Sequence, residues 1–272
     1  MSGIDIHPHV ISRDETRYPR APLGGKQSDW SRERPVSAEE MLRAMDKAGI
    51  ERSILVQAST CYGHDNSYLA DAVAAHPQRF AGVFSVDVLA ADAPDKIRRW
   101  KARGLIGLRV FVAGHTTAQD VRLDDPRSFP AWDCAVAEAL PICIQVRAPG
   151  LPQVEAMLDR FPKARVILDH MARPETDDGP PYAKAAGLFA LARYENLFLK
   201  LTTHNVHDAP ADFLVRAVKR FGAERVAWGS NFPAAKGSLA ELLMQGREAL
   251  AKISDGEREW IFGRTARALY KM

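Results

Sequence analysis

Short runs rich in Val, Ile, Leu and Phe alternate along this chain with segments whose apolar residues recur every three or four positions. Runs near residues 3–9, 53–58, 80–87, 106–111, 141–147, 164–169, 197–202 and 225–230 read as strands. Most show little polar alternation, the pattern of parallel strands covered on both faces. Between them the spacing predicts helices over 37–48, 66–76, 94–103, 129–139, 151–161, 181–193, 210–221 and 238–252, with a last one over about 255–270. The first opens on a capping box, Ser37-Ala38-Glu39-Glu40, and stops at Gly49. Met41, Leu42, Met45 and Ala48 fall on one face of it, which is predicted to pack on the sheet.

About eight β-then-α units in series predict one closed parallel (β/α)8 TIM barrel, an α/β fold in a single domain over residues 1–272. The length of 272 residues is close to that of one such barrel. An open doubly wound sheet is the runner-up, but its GxGxxG turn after the first strand is absent. One long irregular segment, Val10 to Pro35, follows the first strand, on the face where barrel active sites form.

Bulk composition narrows the partners. A net charge of +3, from 37 basic and 34 acidic residues, argues for neither nucleic acid nor membrane binding. No apolar stretch approaches a membrane span, and no secretory signal precedes Gly3-Ile4-Asp5-Ile6. Cys61, Cys134 and Cys143 show no CxxC pairing and read as free thiols in a reducing cytoplasm, with Cys134 and Cys143 in the core.

Chemistry concentrates at three strand ends. Asp5-Ile6-His7-Pro8-His9 closes the first strand; alternation puts Asp5, His7 and His9 on one face, so two imidazoles can converge on one ion or substrate. Val166-Ile167-Leu168-Asp169-His170 is an apolar strand ending abruptly in an acid and a base, a position that reads as catalytic in a barrel. In Trp228-Gly229-Ser230-Asn231-Phe232-Pro233, Gly229 and Asn231 share a face and Ser230 points the other way. A turn accounts equally well for the Ser, Asn and Pro of that run.

Taken in order, these three segments resemble the amidohydrolase superfamily, in the branch of amidohydrolase-related lactonases and decarboxylases that includes 2-pyrone-4,6-dicarboxylate lactonase-like and sugar-lactonase-like enzymes. The resemblance extends to Trp260-Ile261-Phe262-Gly263-Arg264-Thr265-Ala266-Arg267-Ala268-Leu269-Tyr270, similar to the family's closing helix. It implies a site at the barrel mouth. In metal-using members, residues matching His7, His9 and His170 surround one divalent ion, zinc or manganese, and the acid ending the last strand takes the proton of the attacking water. In metal-free lactonases that acid activates water itself while His and Arg polarise the carbonyl. This chain has Asn231 in the acid's place. An amide accepts no proton and ligates zinc poorly. Either the three histidines hold the metal alone, or there is no metal, or another group is the base; His170, Asp169 and Asp5 are the candidates, and Asn231 would orient water or substrate.

Arg109, Arg147 and Arg173 sit late in or just after predicted strands and could fork substrate carboxylates, with Tyr62 a further contact from Ser59-Thr60-Cys61-Tyr62-Gly63-His64-Asp65-Asn66. Their alternative is pairing with protein carboxylates. Cys61 has no local activating base, and His204 reads as a surface loop residue, or else as an added ligand or acid; His76, His115 and His207 read as solvent-facing. The expected activity is hydrolysis of a small, carboxylated lactone or related cyclic ester. Metal-dependent non-oxidative decarboxylation, or a barrel that only binds a ligand, are the alternatives. The expected partner is a small anionic substrate, and a homo-oligomer is left open.

Overall fold

A computed structural model describes residues 3–111 and 122–272. Eight parallel strands pair in chain order: β1 (Gly3–Asp5), β2 (Ile50–Val56), β3 (Phe80–Ser85), β4 (Gly107–Phe111), β5 (Ile142–Gln145), β6 (Val166–Leu168), β7 (Leu197–Thr202) and β8 (Val226–Gly229). The seam between β8 and β1 is joined by Ile6 N–H donating to the Trp228 carbonyl (3.2 Å) and His9 N–H to that of Phe232 (2.8 Å). The result is the predicted (β/α)8 barrel in one domain. Several strands stop short of their predicted C-terminal ends, where the polar residues begin. β1 ends at Asp5, and the chain bends at Ile6 and His7. The two histidines therefore reach the mouth through a bend, and strand alternation does not deliver them.

Two apolar layers follow from the unalternated strands. Ile4, Ile6, Ile54, Val56, Val83, Cys143 and Ile167 fill the barrel, sealed by Leu269 and Tyr270 of the last helix. Leu108, Val110, Leu199 and Leu201 point outward onto helical side chains such as Met41, Met45 and Phe213. Helix Ala38–Ala48 has its capping box, Ser37 Oγ accepting from Glu40 N–H and Glu40 Oε2 from Ser37 N–H, and ends at Gly49 in the left-handed region (φ 69°).

Two helix expectations need correction. Residues 181–193 form three short turns, Ala183–Ala185, Ala186–Ala190 and Leu191–Arg193. Tyr182 at φ 61° starts the segment outside helical space, and Gly187 weakens it further. The closing helix is interrupted by a π turn, Trp260–Arg264. Three helices were too short for periodicity to show: Asp29–Glu33, Ser59–Tyr62 and Thr203–Asp208. Cys134 and Cys143 are buried as expected, and so is Cys61. His115 lies outside the described residues. Among those described, no helix is long and apolar enough to cross a membrane.

The β1–β8 seam has no spare room. A Cβ added to Gly229 would lie 2.6 Å from His7 Cβ and 3.0 Å from its backbone nitrogen. Gly229→Ala is therefore expected to cost about 1–3 kcal/mol through overpacking. Urea unfolding checks this, and a midpoint equal to that of the parent would show the seam to be looser than described.

Candidate active site

β6 hands the chain into an unusual turn. His170, Met171, Ala172 and Arg173 all have positive φ, at 55°, 51°, 58° and 50°. Each left-handed non-glycine residue costs roughly 1–2 kcal/mol, so the surroundings must hold the turn. They do so from both sides. Met171 and Ala172 are fully buried, Arg173 N–H donates to the His170 carbonyl (2.9 Å), and Asn205 Nδ2 donates to the same oxygen (2.8 Å). The strain turns the His170 ring into the barrel mouth, against His7 (ring centres 4.8 Å apart). His9 lies 5.1 Å from His7, and Trp30, from the long segment after β1, covers His9 at 5.2 Å. The segment Val10 to Pro35 thus folds over the site, as its position suggested.

Hydrogen-bond chemistry assigns the protons. His9 Nδ1 faces the Val56 carbonyl (2.8 Å), which only accepts, so Nδ1 carries the hydrogen and Nε2 is bare. His170 Nδ1 lies 2.7 Å from Thr202 Oγ1, whose own hydrogen goes to Asn205 Oδ1 (3.3 Å). Nδ1 is again the donor, and Nε2 again bare. His7 Nε2 faces Arg109 Nη2 (3.4 Å); a guanidinium only donates, so the His7 proton is on Nδ1, 3.7 Å from Asp169 Oδ1. All three rings are neutral. Burial, then Lys200 and Arg109, pushes His7 well below 6.5; burial, then Arg109, brings His9 to about 3; burial lowers His170 against the pull of Asp169.

Below the histidines lies an ion cluster. Asp169 is fully buried, with Lys200 Nζ 2.8 Å from Oδ1 and Arg109 Nε 2.8 Å from Oδ2. Burial alone would raise its pKa, but the two cations outweigh it and hold the carboxyl at about 2. Lys200 is wholly inaccessible, on a strand that otherwise reads as apolar. Sequence reasoning passed over it; the signal was a lysine in the middle of Leu197-Phe198-Leu199-Lys200-Leu201. Asp5 is a separate buried acid. It accepts from Ser230 N–H, Ser230 Oγ and His7 N–H, tying β1 to β8, and burial raises it to about 6 despite those bonds.

A cavity of about 200 Å³ opens above these groups, lined by His9, His170, Asn231, Arg109 and Arg173 among the predicted residues. Asn231 sits at φ 58°, which Asn tolerates better than most side chains. It faces the cavity while Ser230 turns to Asp5. His7 is fully buried beneath the lining. Arg109 differs from expectation. Its Nε goes to Asp169, Nη1 to the Gln57 carbonyl, and Nη2 to Gln145 Oε1 and His7 Nε2, so four of five N–H groups are spent on protein. A free carboxylate fork is not available there. Tyr62 does not contact the cavity: it is buried in a cluster with Ile11, Tyr18 and Cys61, and its hydroxyl is taken by Ser12 N–H and Arg20 Nη1. Arg147 is exposed and outside the lining. Ser59 and Thr60, from the run expected to contact substrate, complete the neutral polar wall with Gln57 and Gln145, which had not been singled out, and His204 joins them.

The histidines do not fit a metal held by all three. The bare nitrogen of His7, the one a cation would need, is occupied by a guanidinium hydrogen, and a second permanent cation, Lys200, takes the nearest carboxylate. Among the described residues, no three His, Cys, Asp or Glu side chains are arranged to hold a metal ion. Beside the expected ligand set His7, His9 and His170, the fixed charge comes from Arg109 and Lys200. Lys200→Met should destabilise the fold by about 3–5 kcal/mol, the cost of removing one partner from a buried ion cluster. Thermal or chemical unfolding reads this out; a loss under 1 kcal/mol would mean Asp169 is not held as described.

Comparison with known proteins agrees with the architecture. The amidohydrolase family model matches residues 4–272. An L-fucono-1,5-lactonase from Burkholderia ambifaria is 32% identical over 248 residues, covering 86% of this chain and 81% of the relative. A 4-sulfomuconolactone hydrolase from Rhizobium radiobacter is 29% identical over 208 residues, 72% of this chain and 65% of the relative. Among solved structures, an amidohydrolase from Burkholderia multivorans with bound zinc superposes with a TM-score of 0.82 over 100% of both chains at 23% identity, a likeness of fold.

Proposed function

This chain belongs to the amidohydrolase family, and on that premise we propose that it hydrolyses small lactones through metal-independent attack of water, with His170 as the base. The observation that carries this reading is the bare Nε2 of a neutral His170 at the cavity wall. Two relatives that act on lactones support the substrate class.

The reaction follows from the groups present. A water bound at His170 Nε2 and steadied by the Asn231 amide attacks the lactone carbonyl, and Nε2 takes its proton. Negative charge growing on the carbonyl oxygen is stabilised by the Arg109 guanidinium, whose fifth N–H is unspent. When the ring C–O bond breaks, the His170 imidazolium returns the proton to the departing oxygen. The hydroxy acid then ionises to the carboxylate. The strained turn and the Thr202–Asn205 pair keep Nε2 aimed, so little reorganisation is needed at each turnover.

Anionic substituents on the substrate would be drawn to Arg173, with Arg147 beyond it. Neither makes an ion pair with the described residues, and Arg173 Nε is buried without a partner. Metal-dependent decarboxylation is disfavoured, because the guanidinium at His7 Nε2 stands in the way of the cation that reaction requires.

Two results check the proposal. His170→Ala should lower kcat by at least about 100-fold on the lactone best hydrolysed by the parent, the usual contribution of a general base. The base works only when neutral, and burial holds its pKa well below 6.5. The acidic limb of kcat/KM should therefore lie well below pH 6.5, and a limb at or above that pH would assign the base elsewhere. Separately, exhaustive chelation should leave turnover unchanged. Loss on chelation with recovery on adding zinc or manganese would restore the metal mechanism.

A further inference from the structure

His204 is a cavity histidine that the mechanism above does not use. It belongs to the short helix Thr203–Asp208 that follows β7. Arg173 Nη2 lies 2.7 Å from its Nδ1. A guanidinium has only hydrogens to offer, so Nδ1 accepts and the ring proton sits on Nε2. Nε2 is left without a protein partner among the described residues, in a side chain that lines the cavity. The ring packs edge-on against His170, centres 5.0 Å apart at 86°. Two neighbouring imidazoles thus border one small volume in opposite tautomers, His170 with a bare Nε2 and His204 with an N–H.

We propose that His204 is a second catalytic residue, a neutral electrophile whose Nε2–H donates to the lactone carbonyl oxygen while His170 draws the proton from water. Arg173 acts through it as a positioning residue, fixing the tautomer. The bond balance is unchanged: His204 keeps its proton throughout, and strengthens its hydrogen bond as the oxygen gains charge. An imidazolium would be the stronger donor but a poor neighbour for a base, since its charge would compete for the proton His170 must collect. Burial and the adjacent Arg173 lower His204 to about 4, which keeps it neutral at ordinary pH. Asp208 opposes that shift, while His207 and Arg147 reinforce it. A neutral imidazole donor also explains why Arg173, and no carboxylate, backs the ring: a carboxylate at Nδ1 would reverse the tautomer and point a lone pair at the carbonyl.

This inference rests on the hydrolase reading, so its test has an arm that needs no turnover. δ-Valerolactam labelled with ¹³C at the carbonyl serves as a non-hydrolysed ligand, and ¹⁵N-labelled histidine reports the tautomer. The expected result is a His204 proton on Nε2 and a downfield shift of the bound carbonyl. The shift should be lost in His204→Phe and kept in His204→Gln, whose amide N–H can replace the donor. In Arg173→Met both tautomers should be populated. Against δ-valerolactone, His204→Phe should lower kcat on the order of 100-fold with little change in KM, as for loss of one oxyanion donor, and His204→Gln should recover part of it. A proton on Nδ1, no carbonyl shift in the parent protein, or a shift that survives His204→Phe would overturn the proposal. If the shift behaves as expected while no lactone is hydrolysed, the donor stands and the hydrolase reading fails.

Discussion

The Asp169 carboxylate, buried between Lys200 and Arg109, is the contact on which the rest of this site is built. A lone carboxylate at that depth would be protonated, and either cation alone at that depth would be as unfavourable. Together they form a charged plug in the barrel's upper layer that is stable only with every member in place. The plug fixes Arg109 by its Nε edge, which aims Nη2 at His7 and leaves one guanidinium hydrogen for the cavity. It also sets the electrostatic tone above it. Two cations against one anion leave an excess of positive charge beneath the histidines, which adds to burial in keeping His7 and His9 neutral and favours negative charge at the mouth.

On that base, each histidine has its free nitrogen decided by what its other nitrogen touches. Val56 carbonyl, Thr202 hydroxyl and the two arginines supply three kinds of partner, and with them the proton position on each ring. The four left-handed residues after β6 belong to the same logic. A relaxed β-to-α connection would leave His170 on the rim. The strained turn is affordable because Met171 and Ala172 are buried beneath it and Asn205 clamps its first carbonyl.

How much of this was legible follows from the range over which each feature is determined. The polar mouth was readable, though the exact strand ends were not, because an apolar run that gives way to Asp-His or His-x-His changes chemistry within a few residues, and eight apolar runs in alternation with helices leave few topologies. The capping box at Ser37 is equally local. Partners were not readable. Nothing near Arg109 in sequence shows that Asp169, sixty residues on, consumes its donors, so a free fork and an ion-paired strut look alike. Tyr62 failed for the same reason, its hydroxyl being claimed by Ser12 and Arg20 from the covering segment. Positive φ at four successive non-glycine residues has no composition signal at all. His204 was discounted because its ordering partner, Arg173, comes from a different strand end.

The replacement of the family's last acid by Asn231 fits this electrostatic arrangement. A carboxylate at that position would sit in the same cavity wall as His170 and, by opposite charge, raise the pKa that burial has lowered. The resting imidazole would then hold a proton it must lack in order to accept one from water. An amide keeps the hydrogen-bonding shape of the acid, orients water with the same reach, and adds no charge. It also tolerates the left-handed backbone at φ 58°. On the proposed role of His170 as the base, neutrality at 231 becomes a requirement of the mechanism, and the departure from the family pattern is what a histidine base needs of its neighbour.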